Sequence, residues 1–403
     1  MAKALVLAGG FDQIALIEEL KARDYTVILA DYYKNPMAKS VADKHYQIST
    51  LDIESVAEVA KKEEVDIITT ACTDQALLTV ARVSELLGLP CYLDFETGRN
   101  VTNKEYMKKR FVEYGIPTAK HIIVETVVGL EQKICALRFP LIVKPVDCNS
   151  SKGVLKVSDK NALFTAVENA LLLSRTKTAV IEEFISGEEY TVDFWIENGT
   201  PQLLMASKIL KFKNRNTFTI NGCQTLPTLS QEKTGKLVAI AKKISIAFAL
   251  DNMPMFMQVI DNGQDIYVLE FSARMGGGTK YRMIERYSGV PIMRLYVDRV
   301  LGAIPEIPIQ RTSNHISINF IYCKKGIAEE IVGMEMLQKE GVIEEWYQYK
   351  PLGTFFDKAE NSGDRIAGIM FMGNSDEEIS QKVSLAYDSI KILNERKENI
   401  LLT

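Results

Sequence analysis

A lysine set inside an apolar strand restricts what a chain can become, and residues 141–157 contain one. Leu141, Ile142 and Val143, two of them β-branched, read as a short buried strand, and Lys144 follows where that strand is still inside the protein. Pro145 ends the ladder. A loop with Asn149, Ser150, Ser151, Lys152 and Gly153 then leads to a second strand, Val154 to Val157. An unpaired buried ammonium is costly, so Lys144 needs an anionic partner. The loop offers hydroxyls, backbone N–H groups and a second cation, a set suited to phosphate oxygens. The competing reading is a surface hairpin whose Lys144 snorkels to water, and on this stretch alone the two stand even.

The chain has 403 residues, enough for two or three domains with their own cores, and a formal net charge of −4. That slight acidity gives no electrostatic case for nucleic acid or an anionic membrane. No apolar run approaches a membrane span, and the start MAKALVLAGGF lacks a signal-peptide layout. Six scattered cysteines without a C-x-x-C pair suggest reduced thiols and a cytoplasmic protein. Three widely spaced histidines (45, 121, 315) give little support to a histidine metal site or a Ser-His-Asp triad.

From the beginning, strands at 4–8, 26–30 and 65–70 alternate with helices at 11–22, 53–62 and 75–87. Such alternation means a doubly wound parallel sheet with ligands outside the carboxyl ends of its strands, which puts Gly9, Gly10 and Asp31 on one rim. The full G-x-G-x-x-G is absent, so support for an NAD site is weak, and a tight strand-to-helix turn is the better explanation of each glycine alone. A helix is expected over Thr102–Tyr114, with Thr102 and Glu105 at capping-box spacing. Lys104 in its first turn is unfavourable against the helix dipole, which hints at a nearby anion. From Phe139 to Phe194 the pattern becomes strand-rich around one helix, Lys160–Leu173, as in a separate α+β module.

Two further stretches tip the balance. In VIEEFISGEEYTVDF (180–194) a strand, a Ser-Gly turn and an alternating strand put Glu189, Thr191 and Asp193 on one face. Such a connector can offer backbone groups to a purine edge and a carboxylate to ribose hydroxyls. In FMQVIDNGQDIYVLEFSARMGGG (256–278) two strands joined by Asp261-Asn262-Gly263 can bring Gln258 beside Glu270 and Ser272. Hard oxygens at this spacing suit Mg²⁺ shared with phosphates. Arg274 follows, a fork donor for carboxylate or phosphate, then Gly276-Gly277-Gly278.

VKPVDCNSSKGV, IEEFISGEEYTVD and VLEFSARMGGG, in this order, resemble the ATP-grasp superfamily, in its carboxylate–amine ligase type. The first strands and ADKHYQIST resemble that superfamily's pre-ATP-grasp domain. The tract from Ser313 to Glu395, with its Gly-Asp-Arg turn, resembles the closing domain of biotin-carboxylase-like and L-amino-acid-ligase-like members. The resemblance implies an α/β ATP-grasp fold of three parts: a doubly wound parallel-sheet domain at 1–100, an ATP-grasp domain at 101–312 with an α+β lid at about 122–204, and an α+β closing domain at 313–403. By the same resemblance Lys104 and Lys144 contact ATP phosphates, and Asn149, Ser150, Ser151, Lys152 and Gly153 close over them. Glu182 reads the adenine amino group, Glu183 and Ile185, flanking Phe184, offer backbone groups to the ring, and Glu189 holds the ribose. Gln258, Glu270 and Ser272 match metal positions for Mg²⁺, with Mn²⁺ as an alternative. Arg274, with Lys144, takes the catalytic role of steadying the transferred phosphate or the acyl substrate.

The sequence departs from the pattern in places. Gln258 stands for a common acidic ligand and Ser272 for Asn, which puts a second metal in doubt. No biotinylation sequence occurs. Asn221 and Gln224 stand where amino-acid ligases often carry Glu and His. The implied reaction is activation of a small carboxylate as an acyl phosphate, with release of ADP, then attack by an amine. The partners are small-molecule acid and amine, and a homodimer is compatible with the resemblance. Two alternatives remain: a purine-biosynthesis-like carboxylase or formate-using transferase, and an ATP-binding module without turnover.

Overall fold

The structure, a computed structural model, describes residues 2–149, 151–212 and 218–402. Ser150 lies outside the described residues. The chain opens with β1 (Lys3–Leu7), α1 (Asp12–Lys21), β2 (Thr26–Asp31), β3 (Lys44–Gln47), α2 (Ile53–Glu63), β4 (Ile67–Thr69) and α3 (Asp74–Leu87). The four strands run parallel in the order β3-β2-β1-β4. Alternate residues of β1 and β2 face opposite ways: Ala4, Val6, Val27 and Leu29 pack with Leu16, Ile17 and Leu20 of α1, while Leu5, Leu7, Ile28 and Ala30 pack with α2 and α3. Strands buried on both faces explain their unbroken apolar runs.

Next come α4 (Phe95–Thr102) and α5 (Lys104–Glu113). The single helix expected from Thr102 is thus two: Thr102 closes α4, and Asn103 caps α5 by accepting the Glu105 N–H. Asn103 wins because its short amide reaches that orphan N–H while its own backbone stays extended.

The lid consists of β5 (His121–Val124), α6 (Leu130–Lys133), β6 (Leu141–Pro145), β7 (Leu155–Val157), α7 (Lys160–Leu173) and β8 (Ala179–Glu183). Its antiparallel sheet has the order β5-β8-β6-β7, and one face packs Leu141, Val143 and Ile181 under Leu163, Ala166, Val167 and Ala170 of α7. The lid sheet stops at Glu183, short of the expected residue 204.

The next strands, β9 (Glu188–Glu197) and β10 (Thr200–Lys211), belong to an eight-stranded sheet instead. With β11 (Ile220–Thr225), α8 (Gln231–Ala247), β12 (Met253–Asp261), β13 (Ile266–Ser272), α9 (Lys280–Ser288) and α10 (Ile292–Val300) they form the centre of the molecule. β9 pairs with β10 on one side and β12 on the other, so Val192, Phe194 and Ile196 are fully buried. Its other face is covered too, with Asp193 and Trp195 buried, so β9 runs through the middle of the molecule.

The C-terminal tract supplies β14 (His315–Tyr322), β15 (Gly326–Ala328), β16 (Glu330–Val332), α11 (Met334–Lys339), β17 (Glu345–Gln348), β18 (Thr354–Phe356), β19 (Arg365–Gly373), α12 (Asp376–Ser389) and β20 (Lys391–Leu393). Its strands continue the central sheet, whose order is β13-β12-β9-β10-β11-β14-β19-β17. Ile321, Ile369 and Phe371 turn the other way, into a second core under α11 and α12.

Candidate active site

On β6 and β8, residues facing away from the lid core include Ile142, Lys144, Val180 and Glu182, since the register sets Ile142 opposite Glu182 and Lys144 opposite Val180. Lys144 and Glu182 are therefore diagonal neighbours, and Lys144 Nζ lies 2.6 Å from Glu182 Oε1. Lys108 of α5 reaches the same oxygen at 3.4 Å and donates to Thr118 Oγ1 at 2.5 Å. Burial opposes ionisation of Glu182, but the Lys108 and Lys144 ammoniums outweigh it and hold the carboxyl down to about 2. Burial pushes the Lys108 ammonium down to about 8, against the pull of Glu182. Lys104, at the start of the same helix, donates to the Cys148 carbonyl at 2.7 Å and faces Glu270 Oε2 at 3.4 Å.

Lys104, Lys144, Glu182 and Glu270 line a cleft between lid and central sheet, a concave site of the kind that takes a small-molecule ligand. Its wall includes Lys104, Lys144, Asn149, Ser151, Glu182, Glu183, Phe184, Ile185, Glu189, Gln258 and Glu270. Glu189 is paired with Lys211. Along the connector, the Glu183 and Phe184 N–H groups are taken by the Lys120 and Pro140 carbonyls, both at 2.9 Å. Gly153 turns the lid loop at φ +76°, where a Cβ would meet Leu173 at 2.7 Å, so only glycine fits. Lys152 is exposed on that loop.

Past Gln258 and Glu270, which sit directly opposite in the β12–β13 register, the cleft opens into a second chamber floored by Arg274, Gly276, Gly277 and Gly278. Here Asp74, at the first turn of α3, gathers several donors. Arg274 grips it in a fork, with Nε at 2.6 Å, Ser272 donates its hydroxyl to it, and Asn149 of the lid loop reaches it at 3.2 Å. Burial disfavours the Asp74 charge, yet Arg274 keeps its carboxyl below the ordinary range. Ser272 thus spends its proton on Asp74, and the carboxylate it shares that contact with belongs to the N-terminal domain. Asp193 of β9 and Lys280 of α9, both buried, pair at 2.9 Å. Asp12 accepts the Gly278 and Thr279 N–H groups at 3.1 and 2.9 Å, while burial pushes its carboxyl up. At Gly278 φ is +75°, and a Cβ would press on the Phe320 ring at 2.9 Å.

Gln258 and Glu270 together offer two hard oxygens at the mouth of the cleft, a donor set that fits one Mg²⁺ completed by phosphate and water oxygens. Among the described residues no cluster of three His, Cys, Asp or Glu side chains could hold a metal by itself. Asn221 and Gln224 line a different groove beside α12, and Gln224 donates to Asp376 at 2.6 Å.

Residues 137–282 match the ATP-grasp domain family. The chain carries an ATP-grasp domain over those residues. Its sequence is 24% identical over 266 residues to the carbamoyl phosphate synthase large chain of Clostridium acetobutylicum, covering 65% of this chain and 24% of that one. This chain therefore spans about a quarter of that relative's length. It is 21% identical over 319 residues to the L-arginine-specific L-amino acid ligase of Bacillus subtilis, covering 78% and 76% of the two chains. The crystal structure of an L-amino acid ligase from Bacillus licheniformis superposes with a TM-score of 0.82 at 20% identity, over 98% of this chain and 99% of that one. That likeness establishes the fold. The resemblance read from the three motifs is accordingly met, and with it the α/β ATP-grasp architecture.

Sequence reasoning missed several residues of this site. Lys108 had a signal: Lys104, Met107, Lys108 and Phe111 fall at core-stripe spacing on α5, and all four are buried. Asp74 reads as an ordinary helix-start acid, and Asp12 likewise; nothing local marks either.

Proposed function

We propose that this protein is an ATP-dependent, ADP-forming ligase that activates a carboxylate as an acyl phosphate and joins it to an amine. The observation that carries this reading is the continuity of the two cavities at Gln258 and Glu270: a lysine-lined cleft opens onto a chamber that holds Arg274. ATP would lie in the cleft with its adenine at the Glu183–Ile185 connector and its phosphates toward Lys104 and Lys144. Gln258 and Glu270 would hold Mg²⁺ or Mn²⁺, which supplies charge stabilisation at the phosphate oxygens.

In the chamber, Arg274 steadies the substrate carboxylate in line with the γ-phosphorus while Asp74 fixes the guanidinium plane. The lysines offset charge developing on the transferred group. Attack then gives ADP and an acyl phosphate, and an amine arriving in the chamber displaces phosphate to form an amide. Closure of the lid loop, which Asn149 already joins to Asp74, keeps water from the acyl phosphate.

The test is phosphate release with ATP, Mg²⁺ and a panel of amino acids, small carboxylates, formate and bicarbonate, with the nucleotide product separated by chromatography. Amine-dependent ADP formation is expected. AMP as product would show that attack falls on the α-phosphorus, and turnover with bicarbonate or formate alone would move the protein to the carboxylase or formate-using class.

A further inference from the structure

Lys280 of α9 and Asp193 of β9 form a buried ion pair at the chamber wall, with Nζ 2.9 Å from Asp193 Oδ2. Lys280 lines the chamber and also donates to the Thr191 hydroxyl. Thr191 stands opposite Gln258 in the β9–β12 register, so the ammonium sits beside the mouth that joins chamber and nucleotide cleft. An ammonium has three N–H donors, and two of them are engaged here. Asp193 is almost wholly buried, and its Oδ1 has no hydrogen-bond partner. A buried ion pair kept for stability alone has its remaining lone pairs satisfied, because each orphaned oxygen adds to the cost of desolvation. In this pair one oxygen is left over. Glycine at 276 brings the chamber floor against it: a Cβ there would lie 3.0 Å from Lys280 Cδ and 3.7 Å from Asp193 Oδ1.

Amide formation needs a group of this kind. An alkyl amine in neutral solution is an ammonium without a lone pair, so one proton must leave before it attacks an acyl phosphate. The other candidates along the chamber are occupied. Asp12 accepts the Gly278 and Thr279 N–H groups, Asp74 serves Arg274, Ser272 and Asn149, and Glu270 faces Lys104. Burial pushes the Cys72 and Cys223 thiols up, which keeps them protonated. Among the described residues no histidine lines the chamber. The titratable groups that the pair faces are Cys223 of β11, which feels both charges, and Cys72 after β4, which feels Asp193. β10 adds the Ser207 hydroxyl beside Thr191, and β12 sets the uncharged Phe256 and Gln258 opposite Asp193 and Thr191. Burial pushes the Asp193 carboxyl up, and Lys280 offsets this only in part, so Asp193 takes a proton more readily than an exposed carboxylate does.

We propose that Lys280 takes a proton from the incoming ammonium as it passes one of its own to Asp193, which stores it. This rests on the ligase reading given above. The freed nitrogen lone pair forms the C–N bond to the acyl carbon, and the C–O bond to the phosphate breaks with its electron pair on the phosphate oxygen. The departing phosphate carries off the second N–H proton. Asp193 returns its stored proton through Lys280 to water once the products leave. Lys280 is the group that meets the amine, and Asp193 acts through it.

The experiment compares two nucleophiles with the acid panel, ATP and Mg²⁺: an alkyl amine, which is protonated at neutral pH, and hydroxylamine, which is not. Hydroxylamine traps an acyl phosphate as a hydroxamate without needing a base. In Asp193→Asn and in Lys280→Met, kcat with the alkyl amine should fall about 10²–10⁴-fold, whereas hydroxamate formation should stay within about threefold of the parent. The residual alkyl-amine rate of both variants should climb about tenfold per pH unit, as the free-amine fraction does, where the parent's rate is level. Lys280→Arg keeps the charge but cannot release a proton, so it should fail with the alkyl amine as Lys280→Met does. Equal losses with both nucleophiles in a folded variant, or an undiminished alkyl-amine rate in Asp193→Asn, would overturn the relay while leaving the ligase reading intact. No hydroxamate from the wild type with any acid would overturn the ligase reading and the relay with it. Each single variant strands a buried charge, so if one fails to fold, the double variant Asp193→Asn with Lys280→Met, which removes both charges, decides. Unfolding of the double variant too would mark the pair as structural and count against the proposal.

Discussion

The nucleotide cleft and the outer end of the substrate chamber handle charge in opposite ways. In the cleft the buried cations already have carboxylates: Lys108 and Lys144 share Glu182, and Lys104 faces Glu270. At the chamber's far end Arg365 has only a ring, a hydroxyl and a carbonyl. A balanced cluster can stay folded without a ligand, and under the ligase proposal it would take up phosphates by exchange, each lysine giving up some of one partner to gain another. An unbalanced cation would gain its first counter-charge only from a ligand. The first arrangement tolerates an empty cleft; the second leaves a buried charge to be offset.

The largest effect is expected from removing the balance. Glu182→Gln strands two buried ammoniums on one neutral amide, and breaking such a pair costs about 3–5 kcal/mol of stability. Denaturant unfolding at neutral pH measures it, and a variant as stable as the parent would mean Glu182 is not the counter-charge. The same residue sets an acid dependence. Its carboxyl is held at about 2 instead of the ordinary 4.5, so the folded protein releases this proton more readily than the unfolded chain. That contribution is full above about 4.5 and fades as pH falls toward 2. Wild-type stability should therefore drop more steeply across this window than that of Glu182→Gln.

Glu270→Ala comes next. It removes the one acidic group at the mouth between the cavities, and the rate of ADP release should fall by about 10²–10³-fold with the circular-dichroism spectrum unchanged. An active variant would place the metal elsewhere. Lys144→Met should then weaken ATP binding by about 1.5–3 kcal/mol in calorimetry, since the exchange described above loses one contact. Equal affinities would sever Lys144 from the phosphates. The smallest effect concerns the lid loop, which Asn149 ties to Asp74 by a single contact. ATP with Mg²⁺ should slow trypsin cleavage after Lys152, Lys156 or Lys160 by about tenfold. Digestion at the same rate with and without nucleotide would argue that this loop does not close over phosphates.

The same contrast governs what the sequence disclosed. Most of the cleft comes from three short runs, each a strand followed by a turn, so Lys144, Glu189 and the Gln258–Glu270 hairpin could be picked out from local signals: a lysine in an apolar run, an alternating strand and a hairpin turn. The chamber is built from side chains far apart in the chain: Asp12 and Asp74 from the first domain, Lys280 from α9, Arg365 from β19. Their meeting depends on tertiary packing that no local pattern encodes. Glu182 shows a subtler limit. Its position in the motif was legible, but an adenine-reading role was expected of a carboxylate that the fold turns toward Lys108 and Lys144, because Lys108 enters from a helix seventy-odd residues earlier. The lid boundary failed for a similar reason: strand signals in Tyr190–Ile196 do not say which sheet receives them, and burial on both faces sent β9 to the central one.

That central sheet passes without a break from the ATP-grasp strands into the C-terminal tract, β11 pairing with β14. The junction at residues 312 and 313 is therefore a poor place to divide the gene. Cutting there would bare the edges of β11 and β14 along with the apolar side chains of Ile316 and Ile318, and two separately expressed halves would meet solvent as sticky, unpaired ribbons. For protein engineers the consequence is directional. The turn that precedes β19 and the loop after β17 are better targets for redesign than whole modules, since those segments can be rewritten while the hydrogen-bonded ladder beneath them stays whole.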